Sequence, residues 1–190
     1  MGPDLNTEPV IIPLNKLKLV MMFLGAALFV AAGIWFVTNP SAFGRDIFRF
    51  MGDTGVAIVG WASTIFFGAC AIMIFRKFLD NKSGLVINNE GIMDNSSGVS
   101  AGLIAWADIT GLTVRQVYNQ KFIMVLVENP EVYIERHTNA LKRNTVKLNH
   151  QMYGSPISIS ANSLKCSFDE LFAILTEKLK KYNEKTSVTL

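Results

Sequence analysis

Charge is missing from two long windows of this chain. Residues 19–37 and 56–75 contain no Asp, Glu, Lys, Arg or His, and each window is about 20 residues long. At roughly 1.5 Å rise per residue, a helix of that length spans the ~30 Å hydrocarbon core of a bilayer. A single charge at mid-membrane would cost roughly 2.5–3.5 kcal/mol, so the two gaps read as a pair of transmembrane helices. The same lack of ionisable groups leaves no proton or ion relay within one copy. Cysteine is scarce too. Cys70 lies in the second window and Cys166 far beyond it, which excludes a disulfide framework and any cysteine metal spacing.

Catalytic signatures are also missing. The chain has no H-E-x-x-H, no nucleophile elbow, no Walker lysine loop and no dinucleotide glycine fingerprint. His137 and His150, the only two histidines, stand thirteen apart in a polar segment and read as solvated side chains. No enzyme activity, metal or cofactor is expected. A formal charge of only +3 argues against nucleic acid as a partner. No cleavable leader is expected, because the first window follows 18 residues containing Pro3, Pro9 and Pro13 and is longer than a signal core. Asn6 breaks the myristoylation pattern after Gly2.

What is present organises into four parts. Residues 1–18 form an extended lead-in to the membrane. Residues 19–75 form a transmembrane hairpin whose connection is 38–55. Gly60, Thr64 and Gly68 recur at i, i+4, i+8 in the second span, a small-residue stripe that lets helix backbones approach. It serves either the hairpin or a homo-oligomer face. Trp35 and Trp61 fall at the connected ends, where an aromatic belt is expected. In the connection, Asn39-Pro40 reads as a cap and first helical residue. Phe43, Ile47, Phe50 and Met51 follow at helical spacing, so this is either a short headgroup-plane helix or an irregular loop. Lys16, Lys18, Arg76, Lys77 and Lys82 flank the outer ends, against Arg45 and Arg49 in the connection. That bias places both termini in the cytosol.

Roughly 110 residues follow Arg76, enough for one small domain. Asn89-Glu90-Gly91 marks a hairpin turn between residues 85–88 and 92–94. Strands follow at 103–106, 109–117 and 122–127, joined by the turn Tyr118-Asn119-Gln120. Asn129-Pro130 starts a helical or irregular segment. Tyr153-Gly154-Ser155-Pro156 ends it before a strand at 157–160. Ser167 and Glu170 form a capping box for a last helix, with Phe168, Leu171, Phe172, Leu175 and Leu179 on one face. Residues 184–190 read as a flexible tail. Trp106 reads as core packing, and Asp108 as the cap of a strand-end turn.

A strand meander closed by an amphipathic helix is the order of a pleckstrin-homology-like (PH-like) domain, a bent β-barrel plugged by its C-terminal helix, here over residues 84–183. The fold class is therefore a membrane-anchored α+β chain. Several stretches carry a family resemblance: Gly84-Leu85-Val86-Ile87, Glu90-Gly91-Ile92, Gly102-Leu103-Ile104-Ala105-Trp106-Ala107-Asp108-Ile109, Glu128-Asn129-Pro130 and Ser155-Pro156-Ile157-Ser158-Ile159. On these the chain resembles a family of bacterial membrane proteins with two N-terminal spans and a PH-like domain. The resemblance implies a bacterial inner-membrane location and brings no activity with it. The helical segment before the last strand departs from a plain seven-strand pattern.

One asymmetry bears on partners. No acidic residue occurs between Arg136 and Phe168, whereas Arg136, Lys142, Arg143, Lys147 and Lys165 are all basic. Such a segment fits either a solvated helix face or a surface facing anionic lipid. Arg136, Lys142, Arg143 and Lys147 are the candidate lipid- or partner-facing residues. The expected function is binding of a lipid headgroup, a peptide or a membrane protein by the cytosolic domain. The alternative is an assembly subunit that contacts partners through its spans.

Overall fold

A computed structural model describes residues 8–44, 52–80 and 82–189. The chain divides into two compact units, Lys16–Asn81 and a discontinuous one formed by Met1–Asn15 with Lys82–Leu190.

The first unit is a helical hairpin. Helices α1 (Lys16–Thr38) and α3 (Gly52–Phe78) are both long and apolar enough to cross a membrane, with window hydropathies of 2.4 and 2.1. Only 11% and 6% of those windows are buried, unlike a soluble core helix. Their antiparallel contacts run in order along the pair. Phe23 packs near Phe75, Phe29 stacks on Phe67 at 4.2 Å between ring centroids, and Ser63 Oγ donates to the Phe29 carbonyl at 3.2 Å. The short helix α2 (Pro40–Gly44) begins at Pro40 as the proline predicts. The Asn39 side chain donates to Thr38 Oγ1 at 2.9 Å instead of capping α2. Ile47, Phe50 and Met51 of the expected interfacial helix lie outside the described residues.

The second unit carries two antiparallel sheets. The first has the order β1-β2-β3-β4, from Val10–Ile12, Leu85–Ile87, Gly91–Asp94 and Gly102–Ala105. The second has the order β5-β6-β7, from Ile109–Val117, Gln120–Val127 and Ile157–Ile159. Helices α4 (Pro130–Glu135) and α5 (Ala140–Tyr153) lie between β6 and β7 in the chain, and α6 (Phe168–Thr189) closes it.

Neither sheet closes into a barrel, contrary to the closed form expected. After β4 the chain makes a single 3-10 turn at Trp106–Asp108, and β5 then pairs with β6 instead of continuing the first sheet. The lead-in also differs. Residues 10–12 pair with β2, Val10 opposite Ile87, and Leu14 bridges Leu164. Ile12 and Leu14 are buried in the domain core, and the apolar side chains at 12 and 14 are the physical reason this segment docks. At the far end α6 runs on to Thr189, so the expected flexible tail is helix with its described side chains exposed.

The core forms where the inward faces meet α6. Ile87, Ile92, Ile104, Ile123 and Ile159 are fully buried, as are Leu171 and Leu175 of α6. At roughly 1.5–3 kcal/mol per buried aliphatic side chain, these contacts dominate the domain's stability. The Ser167–Glu170 capping box forms: the Glu170 amide donates to Ser167 Oγ at 3.2 Å. Trp106 packs in the core and donates its indole N–H to the Asn88 carbonyl at 2.8 Å. At Gly91 no side chain fits, since a Cβ would stand 2.0 Å from the Ile104 carbonyl oxygen.

Candidate functional site

The basic segment begins at Arg136, the C-cap of α4, and contains α5 and β7. A one-faced sheet strand alternates, but β6 buries Ile123, Met124 and Val125 in succession. Both of its faces are covered. Ile123 and Val125 enter the main core, while Met124 turns to the other side. There α5 lies over the sheet. Val146 is 3% exposed, and the Asn149 amide approaches Ser158 Oγ at 3.5 Å. Between them is a half-open cavity of about 160 Å³ floored by Val117, Phe122 and Met124, with Arg115, Asn149 and Tyr153 at its walls.

The ends of α5 are firmly set. Asn139 Oδ1 accepts from the amides of Leu141 and Lys142 at 2.9 and 3.2 Å. Gly154 takes the left-handed conformation (φ 81°) that ends the helix, donating to the His150 carbonyl. Buried Ser155 then donates to the Val125 carbonyl and accepts from Ile157 N, pinning the entry to β7.

Helix α4 is held by a polar cluster. Tyr133, 2% exposed, donates its hydroxyl to Asp108 Oδ2 at 2.6 Å. Burial first, and then the Asp108 hydrogen bond and charge, push the phenol pKa up from its ordinary value. The Arg136 guanidinium lies 4.1 Å from the Tyr133 ring centroid and donates to the Leu103 carbonyl at 2.6 Å. Asp108 therefore ties α4 to the strand-end turn, where a cap of that turn was expected of it. Asn129, expected to cap α4, makes no capping hydrogen bond. Tyr133 is the residue that sequence reasoning missed. Its one local signal is the i, i+3 spacing to Arg136.

The predicted lipid- or partner-facing residues thus divide. Lys142, Arg143 and Lys147 are exposed on α5 and form no ion pair among the described residues. Arg136, though exposed, is engaged with Tyr133 and Leu103. Lys165 is exposed next to Leu164, and its amide donates to the Pro13 carbonyl. The histidines are less solvated than expected. His137 is half-buried, and burial, with Lys142 nearby, lowers its pKa. His150 Nδ1 is buried without a hydrogen-bond partner. No group of three or more His, Cys, Asp or Glu among the described residues could hold a metal ion.

The helix-packing candidates also divide. A Cβ on Gly60 would come within 2.7 Å of the Gly33 carbonyl, and one on Gly33 within 2.6 Å of Thr64 Oγ1. Gly60 and Thr64 therefore form the close crossing of α1 and α3, together with Gly33. Gly68 has open space where its Cβ would be. Trp35 and Trp61 are both exposed on the hairpin.

Comparison with protein-family models, with curated proteins and with solved structures finds no match for this chain.

Proposed function

We propose that this chain is a non-enzymatic membrane protein whose extramembrane domain binds anionic lipid headgroups at the basic face of α5. The hairpin spans a bacterial inner membrane, with both termini in the cytosol. Two exposed helices of this hydropathy support the span, and the Lys and Arg bias of the flanks supports the orientation. The domain is PH-like in organisation. Four strands in one antiparallel sheet, three in the other and a C-terminal helix buried by one face support that reading.

The observation that carries the function is the set of three unpaired, exposed cations on one short helix, within a stretch that holds no acid. Near an anionic leaflet each contributes about 1 kcal/mol, together about 3 kcal/mol, with a reach of about 8 Å at physiological salt. Short connections keep the domain at the membrane, since residues 79–84 alone separate α3 from β2.

Assembly through the spans has less support. Two of its three stripe residues, Gly60 and Thr64, are used inside the hairpin itself.

Hydrogen exchange of the full-length protein in lipid nanodiscs tests the lipid reading. Amides of α5 should exchange more slowly when phosphatidylglycerol is added to phosphatidylcholine. High salt, or Lys142→Gln with Arg143→Gln and Lys147→Gln, should abolish the difference. Equal exchange in both lipids would refute the proposal.

A further inference from the structure

We infer that α5 not only faces lipid charge but inserts an apolar ridge into the bilayer surface. The inference deepens the lipid reading above and rests on it. Leu141 is 77% exposed, Leu148 54% and Met152 60%. These positions, i, i+7 and i+11, lie on one stripe of the helix. Val146, Asn149 and Tyr153, about 80–140° round the helix from the ridge, form the stripe that covers the sheet. The ridge therefore has no partner among the described residues and is not a core face turned slightly outward.

Charge identifies its occupant. By helical spacing Lys142 lies about 100° round the helix from the ridge on one side and Lys147 about 120° on the other, with Arg143 on the far side. A basic helix with an uncovered apolar stripe lies in the headgroup plane, with its apolar face about 5–10 Å into the headgroup and acyl boundary. The acid-free stretch around it complements an anionic leaflet. The apolar helices of the same chain keep a bilayer permanently at hand. Sheet attachment fits the same role, because Asn139 capping and the Ser155 contacts hold α5 as a preformed rod. The ridge thus costs no folding on insertion, unlike a disordered amphipathic segment.

The test places a polarity-sensitive fluorophore on Leu148→Cys, in full-length protein carrying Cys70→Ser and Cys166→Ala, in nanodiscs. Met152→Cys repeats it at a second exposed site, so that a labelling defect at one position does not decide the outcome. With phosphatidylglycerol present, emission should shift to the blue. A nitroxide high on the acyl chain should then quench it roughly twofold more than in phosphatidylcholine alone. The triple Lys142→Gln, Arg143→Gln, Lys147→Gln variant should lose both effects. Quenching by a headgroup nitroxide alone would leave the charge reading standing and overturn insertion. A blue shift that neither nitroxide quenches would assign the ridge to a protein contact and overturn insertion. A label that stays water-like in every lipid would overturn insertion and the lipid reading together.

Discussion

Removing one hydroxyl from the domain tests how the basic segment is attached. Tyr133→Phe deletes the donor to Asp108 and the oxygen that makes a backbone hydrogen bond with Ala105, leaving the ring and its Arg136 contact in place. A hydrogen bond to a carboxylate contributes about 1.5–3 kcal/mol. Asp108 is only half-buried and water can replace part of the loss, so we expect about 2 kcal/mol. Asp108→Asn keeps an acceptor and should cost less, about 0.5–1 kcal/mol. The assay is urea unfolding of full-length protein in detergent, followed by Trp106 fluorescence with Trp35→Phe and Trp61→Phe as background. The sign of the pH dependence adds a second readout. Because the phenol pKa is raised on folding, its contribution is complete below pH 10.0, the ordinary value, and is lost as pH rises through the folded one. Tyr133→Phe should therefore flatten the alkaline loss of stability. In a cycle with Asp108→Ala, the coupling should reach about 1 kcal/mol or more. A Tyr133→Phe cost that is the same with and without the Asp108 carboxylate would refute the reasoning.

Three further perturbations follow from single contacts. Gly91→Ala puts a Cβ 2.0 Å from the Ile104 carbonyl and must push β3 from β4. We expect a loss of about 3 kcal/mol by urea unfolding, and a cost below about 1 kcal/mol would show that the strands can separate freely. In the hairpin, Gly60→Leu should abolish oxidative cross-linking of a Phe29→Cys, Phe67→Cys pair in a Cys70→Ser background. Gly68→Leu should leave it intact, since a Cβ there meets nothing within 4 Å; equal effects would misplace the crossing. His137 is held below its ordinary pKa of 6.5, so the unfolded chain takes up its proton first as pH falls. Stability should be complete above about pH 6.5 and decline below it. His137→Asn should remove that acid slope, and an unchanged slope assigns it to another group.

Local pattern made much of the chain legible. The two long apolar helices needed only length and lack of charge, and they extend the windows to Lys16–Thr38 and Gly52–Phe78. The strand expected at 109–117 forms over those residues, and the capping box forms where Ser167 and Glu170 predict. The readings that failed depend on distant partners. Residues 10–12 gave too short an apolar run to reveal a strand, because their partner β2 lies beyond both long helices. Asp108 and Tyr133 are 25 positions apart, joined by a turn, a hairpin and a proline start that no periodicity links. The closed barrel failed for the same reason: strand order is readable locally, but which edges meet is not.

Helix α5 shows why the candidate site was only half legible. Its sequence carries apolar residues at 141, 146, 148 and 152, which no single face accommodates. Read alone, that scatter looks like a weak amphipathic segment. The structure separates it into two stripes: Val146 is buried on the side that covers the sheet, while Leu141, Leu148 and Met152 remain exposed. A helix with one apolar stripe needs only a core. The proposed lipid contact accounts for the second, uncovered stripe: the bilayer inferred for the two long apolar helices offers an apolar phase that also carries charge opposite to the cations of α5.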